Sequence, residues 1–455
     1  MRYVKRLMIV IGSLLIMCGT FYVFNAYQKS NARVYIQLDV KSKIADEYQL
    51  FFSSKSEGWK EVDSETKNYN TPGSWQTIRF DLPRNYSYLR LDMGKNNTAE
   101  IALRNMHFGA INDTKVNLKE LELSLNQIDI TKSNDNLLIM NTTGTDPFLY
   151  FFTLPYITSS YEGYNLYYVL FNILVSVLVG LSFYFIMKRM RHSFGFVREL
   201  IKSKDLVLNL AKNDFKTRYA SSYLGVMWGF IQPLITIVTY WFVFQVGLRS
   251  GDVGNVPFII WFIAGIIPWF FFSEALTGAT NVFSEYSYLV KKVVFKIELL
   301  PFVKILSAGF VQIFFVLFIF IVYGFYGYLP NLYNIQIIYY FVSMLILVTG
   351  ITFLTSAVVL FFKDLNQIIA VIVQIGFWFT PIGWSVSMLS ETWAKVFKLN
   401  PMYYIVQGYR DTFIDQIMFY DRPYQTSYFW LFCLLSFTLG FKLFEKLKPH
   451  FSDVL

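Results

Sequence analysis

From residue 223 onward the sequence keeps returning to one pattern, apolar runs of about 20 residues separated by short polar loops. A run of that length crosses the hydrocarbon core as a helix, because lipid offers no partner to a bare backbone N–H or C=O. Such runs fall at 223–246, 258–278, 302–326, 337–362, 366–388 and 427–444, and two more precede them at 7–24 and 167–187. Charged residues make up 16% of the chain, against about 25% in a soluble globular protein. The chain is therefore expected to be an α-helical polytopic membrane protein with about eight transmembrane helices. The run at 7–24 follows Arg2, Lys5 and Arg6 and ends in Phe21-Tyr22-Val23-Phe24. Those bulky residues do not suit cleavage, so the segment reads as a retained anchor, not a signal peptide.

Basic residues orient the spans, since Lys and Arg concentrate in cytoplasmic loops. The segment 188–218 is densely basic; Lys291, Lys292, Lys296 and Lys304 form a second group, and Lys442, Lys446 and Lys448 a third. All three fall on one side if every run spans. The opposite loops, 247–256 and 327–336, carry a single basic residue, Arg249. Both termini are thus expected in the cytoplasm of a multi-pass protein of the cell membrane. One stretch breaks the rule: 389–426, on the outer side, carries Lys395, Lys398, Arg410 and Arg422, which predicts local structure there and not a simple turn.

Residues 28–161 have a different period. Val34, Ile36, Leu38 and Val40 alternate with Tyr35, Gln37 and Asp39, and the same scheme recurs at Ile78, Phe80 and Leu82 and at Leu89, Leu91 and Met93. Period-two alternation between turn clusters such as Thr71-Pro72-Gly73 predicts half-buried strands. About 130 residues suffice for a small β-sandwich, extracytoplasmic on this topology. Its aromatic residues Trp59, Tyr69, Trp75 and Tyr86 are candidates for stacking on sugars.

Several function classes are excluded. The formal net charge of +9 comes from residues flanking apolar runs, which fits contact with anionic membrane lipids and not nucleic acid. Cys18 and Cys433 lie inside apolar runs, where buried thiols are expected, and no CxxC or Cys/His cluster offers a metal site. No G-x-x-x-x-G-K-[ST] string is present to cradle a nucleotide. The spans hold almost no carboxylate, Glu274 being the nearest case, which argues against proton-coupled transport. The loops lack clustered carboxylates for a membrane glycosyltransferase or acyltransferase with an outer lectin-like domain. No residue is assigned a catalytic role.

An ordered set of motifs is more specific. Asn213-Asp214-Phe215-Lys216-Thr217-Arg218-Tyr219 is followed by Tyr223-Leu224-Gly225-Val226-Met227-Trp228 and Gln232-Pro233-Leu234. Pro268-Trp269-Phe270-Phe271-Phe272 comes next, then Leu289-Val290-Lys291-Lys292 and Pro301. Phe362-Lys363-Asp364, Phe379-Thr380-Pro381-Ile382, Leu399-Asn400-Pro401 and Arg410 complete it. In this order, from about Glu199 onward, the chain resembles the membrane permeases of type-2 ABC exporters for teichoic acids, O-antigens and capsular polysaccharides. It departs after Val294-Phe295, where the family has proline and this chain has Lys296. The anchor and the outer domain lie outside the family's six-span unit.

Hydropathy and period give an anchor at 1–27, the outer domain at 28–161 and a second helix at 162–190, and the resemblance adds a cytoplasmic amphipathic interface helix at 191–222 and a six-helix permease core at 223–455. The resemblance implies no cofactor on this chain, with ATP and Mg on a separate ABC ATPase, present in two copies beside a homodimer of this chain. The cargo would be a lipid-linked polysaccharide, the alternative being another lipid or amphiphile. Asp214, Arg218, Tyr219, Leu224, Gly225 and Trp228 would form the interface helix and cargo uptake site. Glu285, Tyr288, Leu289, Val290, Lys291 and Lys292 would meet the ATPase as a short amphipathic helix seated in its groove. Trp269, Phe270, Phe377, Trp378 and Pro381 would line the path, and Asn400, Pro401 and Arg410 the outer gate.

Overall fold

The computed structural model describes residues 2–83, 86–94, 99–162, 165–249, 251–254, 256–291 and 296–455; at 2–6, 186–195, 197 and 391 only the backbone is described. It divides into two compact units, one formed by Gly19–Ser176 and the other by Met1–Cys18 with Val177–Leu455.

Among the described residues the first unit holds eleven strands: β1 (Val34–Ser42), β2 (Asp46–Ser53), β3 (Ser64–Tyr69), β4 (Gln76–Leu82), β5 (Tyr88–Met93), β6 (Glu100–Gly109), β7 (Asp113–Lys115), β8 (Ser124–Asn126), β9 (Ile128–Asn134), β10 (Leu137–Thr142) and β11 (Phe148–Phe152). One sheet runs β4-β1-β6-β10-β9 with β7 on β6, the other β3-β2-β5-β11-β8. All the pairings are antiparallel, with β1 and β4 in register from Val34 opposite Leu82 to Val40 opposite Gln76. The alternating residues do what their period demands. Val34, Ile36, Leu38 and Val40 meet Leu89, Leu91 and Met93 in one core between the sheets. Gly94 follows β5 at φ +77°, and a Cβ there would strike the Asp46 carboxylate, so the turn requires glycine. Two of the aromatics expected on the surface are in the core instead: Tyr69 and Tyr86 are 0% and 5% exposed. The Tyr69 hydroxyl is held at 3.0 Å from the Ser42 carbonyl and 2.6 Å from that of Thr71.

Helix α1 (Arg2–Asn31) precedes the sandwich, while α2 (Leu154–Tyr161) and α3 (Leu166–Lys202) follow it. Within the first unit the Asn172 Nδ2 of α3 donates to the side-chain Oδ1 of Asn25 on α1 at 3.0 Å. The boundary expected near 190 falls inside α3. No proline interrupts that stretch, so α3 continues for about 55 Å and breaks only at Ser203.

The second unit continues with α4 (Lys204–Arg218), α5 (Trp228–Trp241), α6 (Phe258–Thr280), α7 (Val282–Glu285), α8 (Ser287–Val290), α9 (Leu300–Phe325), α10 (Gln336–Val359), α11 (Leu365–Phe379), α12 (Glu391–Phe397), α13 (Pro401–Arg410), α14 (Pro423–Leu447) and α15 (Phe451–Val454). Helix α6 is buried along most of its length, packed by α9, α10 and α13. Helices α10 and α14 cross on glycines: a Cβ on Gly440 would lie 2.4 Å from the Gly350 carbonyl oxygen, the close approach that small residues permit in membrane helices. Cys433 is buried in α14 as expected, whereas Cys18 is exposed along α1.

Among the described residues, 7 helices are long and apolar enough to cross a membrane. The run expected at 366–388 yields only α11, 15 residues, or about 22 Å. Its end is set by Pro381, which forces the preceding Thr380 into extended geometry (φ −97°, ψ 128°). The irregular stretch foreseen at 389–426 follows as short helices. Asn400 opens α13, its side chain accepting from the Met402 N–H at 2.9 Å with Pro401 in the first turn.

Candidate functional site

The densest polar chemistry in the second unit lies where α4, α6, α7 and α9 converge. Asp214 and Arg218 stand four apart on α4 and so share a face, with the Arg218 Nη2 3.3 Å from the Asp214 Oδ2. From α9 the Lys304 Nζ reaches Asp214 Oδ1 at 2.6 Å and Glu285 Oε2, at the end of α7, at 2.5 Å. From α6 Glu274 pairs with Arg218. Tyr286 donates its hydroxyl to Asp214 Oδ1 at 3.0 Å. The side chains of Lys304 and Asp214 are 8% and 6% exposed, and an opening of about 380 Å³ lies among these groups.

Each carboxylate here has a cation and each cation at least one carboxylate, which is what makes buried charge tolerable. Burial pushes the Asp214 carboxyl up, but hydrogen bonds from Lys304 and Ser307 and the Lys304 and Arg218 charges outweigh it and hold the group below its usual value. Arg218 is raised, since Glu274 and Asp214 overcome burial. Burial and then Asp214 push the Tyr286 phenol up. The cluster holds charges in a fixed pattern and supplies no nucleophile; its chemical capacity is to tie four helices together electrostatically.

The other residues singled out from the sequence fall in separate places. Tyr219 packs edge-on to Phe215 at 5.9 Å and against Gly229, where a Cβ would sit 3.1 Å from its hydroxyl. Gly225 takes φ +51°, and Leu224 and Trp228 face outward. In the α7–α8 segment, which forms two short turns and not one helix, Tyr288 is 58% exposed while Val290 is buried. Lys291 is exposed; Lys292 lies outside the described residues, as do Val294 and Phe295. Lys296 pairs with Glu199 of α3, so the residue standing in for proline ties the inner loop to α3.

Trp269 and Phe377 approach at 6.2 Å and Phe377 and Trp378 at 5.2 Å. Trp269 lies against Gly376, where a Cβ would come within 2.9 Å of the indole. Phe270 packs elsewhere, on Phe315 at 6.3 Å, and Trp378 points outward. Among the polar residues of the spans, Gln312 donates to the Tyr409 hydroxyl at 2.8 Å and Gln245 accepts from Trp241 at 2.6 Å, while Gln232 and Gln374 are exposed.

Pro381 is buried at the turn that leads to Arg410, whose Nη2 donates to the Ile382 carbonyl at 3.0 Å. The neighbouring Asp411 pairs with Arg422 through contacts of 2.5 and 2.8 Å. In the sandwich unit, Arg90 stacks on Phe148 at 3.6 Å and is clamped by Asp92 at 2.6 Å. Trp59 lies 6.1 Å from Tyr150 on that face, while Trp75 on the other sheet is covered by Arg104 at 4.1 Å.

Sequence reasoning missed the partners of Asp214. Lys304 reads as an orientation charge beside a span, yet it lies within the expected run 302–326. A charge inside a span is itself the signal.

Comparison with known proteins places these elements. Residues 205–414, from α4 to just past α13, match the ABC-2 type transporter family model. An O-antigen export system permease protein of Klebsiella pneumoniae is 26% identical over 271 residues, 59% of this chain and 99% of the relative. One of Myxococcus xanthus is 27% identical over 222 residues, 48% of this chain and 84% of that protein. The sandwich unit lies before the family match.

Proposed function

We propose that this chain, similar over 205–414 to the ABC-2 type transporter family and along 99% of an O-antigen export permease, is a transporter subunit and not an enzyme, the permease of a polysaccharide exporter whose cargo is lipid-linked. A separate ABC ATPase supplies the energy. Two copies of this chain enclose the path, each with one ATPase. The observation that carries the reading is the match to 99% of the length of an O-antigen export permease, together with the family match over 205–414, which contains the charge cluster. ATP and Mg belong to the partner.

The termini face the cytoplasm and the sandwich unit lies outside, as the basic loops favour. On that orientation α7 and α8 face the ATPase. Tyr288, exposed to 58%, is the side chain best placed to seat in a partner groove, with Leu289 beside it. Glu285 joins the same segment to Lys304 and Asp214, so a push on α7 reaches α9 and α4 without passing through a flexible loop. Outside, the aromatic and charged face around Trp59, Arg90 and Tyr150 receives the emerging glycan.

The test is a Tyr288→Ala, Leu289→Ala double variant expressed in a strain lacking the native copy. The protein should reach the membrane in normal amount while polymer at the cell surface disappears and lipid-linked glycan accumulates inside. Normal surface polymer would overturn the coupling role, and accumulation of a different lipid would overturn the cargo.

A further inference from the structure

Three of the four basic residues of 389–426, which break the charge rule for an outer loop, line one cavity: Lys398, Arg410 and Arg422. It measures about 430 Å³, and its lining includes Trp261, Ser385, Ser387, Gln407 and Asp415 beside those three cations. Arg410 is 3% exposed. Its Nη2 donates to the Ile382 carbonyl at 3.0 Å and its Nε to the Trp261 carbonyl at 3.4 Å, with the guanidinium 3.4 Å from the Trp261 ring centre. A guanidinium carries five N–H donors, so these contacts leave capacity unused.

No carboxylate among the described residues lies within ion-pairing distance of Arg410. Asp411, its neighbour in sequence, is committed to Arg422, and Asp415 accepts from Gln407 at 3.2 Å. A buried cation lacking a counter-ion is costly, and a bound anion would supply the missing charge. Lys398 lines the same cavity and makes no ion pair among the described residues. Lys398 and Arg410, neither in an ion pair among the described residues, thus face one space whose lining carries three cations, Arg422 being the third, against the single carboxylate of Asp415, with hydroxyl and amide groups of Ser385, Ser387 and Gln407 beside them.

We propose that this cavity binds the phosphoryl group of a sugar phosphate carried by the exported molecule, the phosphate between Lys398 and Arg410 and the sugar hydroxyls toward Ser385 and Gln407. Arginine meets phosphate oxygens through paired N–H donors, and lysine adds a point charge. The proposal rests on the export reading above and assigns its substrate class. The same chemistry could come from the headgroup of an anionic phospholipid, so the experiment separates the two.

The full chain in phosphatidylcholine nanodiscs is melted with increasing glucose 1-phosphate, against glucose and sodium chloride as controls. The expected result is a saturable rise in Tm with glucose 1-phosphate alone, its half-saturation shifted at least tenfold upward in Lys398→Gln. Lys398 is exposed and its substitution leaves the fold intact, whereas Arg410→Lys, which keeps the charge but loses the fork, tests the deeper contact. Equal stabilisation of wild type and Lys398→Gln, or none in the wild type, would overturn the site. If phosphatidylglycerol nanodiscs raise the Tm without the probe, in a Lys398-dependent way, and abolish its effect, the assignment to the substrate is overturned in favour of membrane lipid. None of these readouts requires transport, so failure here is distinguishable from failure of the export reading, which the Tyr288 experiment tests by itself.

Discussion

Lys304 shows how much one side chain can decide. It neutralises Asp214 and Glu285 at once from a helix with no other charged residue. Lys304→Met should destabilise the purified protein by about 3–5 kcal/mol, the usual cost of stranding a buried charge. The measurement is thermal unfolding in detergent, and adding Asp214→Asn should recover part of the loss, since the two substitutions are coupled. A loss no greater than that of a surface lysine would refute the buried pairing. Asp214 also sets a pH dependence. Its native carboxyl lies below the usual value, so its contribution is present above the unfolded value of about 3.9 and fades as pH falls through the lower native one. The acid limb of a stability–pH curve should therefore be shallower in Asp214→Asn. At this scale the sequence was only partly legible. It named Asp214 and Arg218 but could not bring Glu274, Glu285 and Lys304 to them across distant helices. Tyr69 looks like a surface aromatic until the register of β3 turns it inward, and Tyr86, in the connection before β5, is buried by the same core.

Among the elements, the helices were legible wherever length and apolarity alone decide. They were misjudged where one residue overrides composition. Apolar residues continue past Phe379 through Pro381 and Ile382, so a count of apolar positions extends α11 to 388, while the backbone constraint of Pro381 stops it at Phe379. The reverse error occurs at α3, where a shift to basic composition suggests a new element but nothing breaks the helix. The α10–α14 crossing offers a test of packing. Gly440→Leu would drive a side chain into the Gly350 carbonyl and should cost about 1–3 kcal/mol as overpacking, read as a lower Tm of the purified chain. An unchanged Tm would mean that the helices are not in contact at that point.

For the molecule as a whole, a β-sandwich precedes a helical membrane domain, and the change from a period of two to apolar runs of spanning length made both parts legible. What the surfaces meet is not written in that periodicity, because a partner leaves no mark on the spacing of apolar residues. The outward aromatics on the second sheet make a defined target: replacing Trp59 and Tyr150 with Ala in the full chain should weaken retention on the immobilised native polysaccharide at least tenfold while leaving Tm unchanged. Undiminished retention would remove glycan handling from that face.

At its centre stands a physical claim, that this chain is a conduit set in motion by a separate ATPase. Inverted membrane vesicles containing radiolabelled lipid-linked glycan test it most directly, with this chain and its ATPase present singly or together. ATP should drive labelled polymer into the vesicle lumen only when both subunits are present, and a non-hydrolysable analogue should not replace it through repeated cycles. Polymer crossing with this chain alone, or crossing undiminished when the ATPase is catalytically dead, would contradict it.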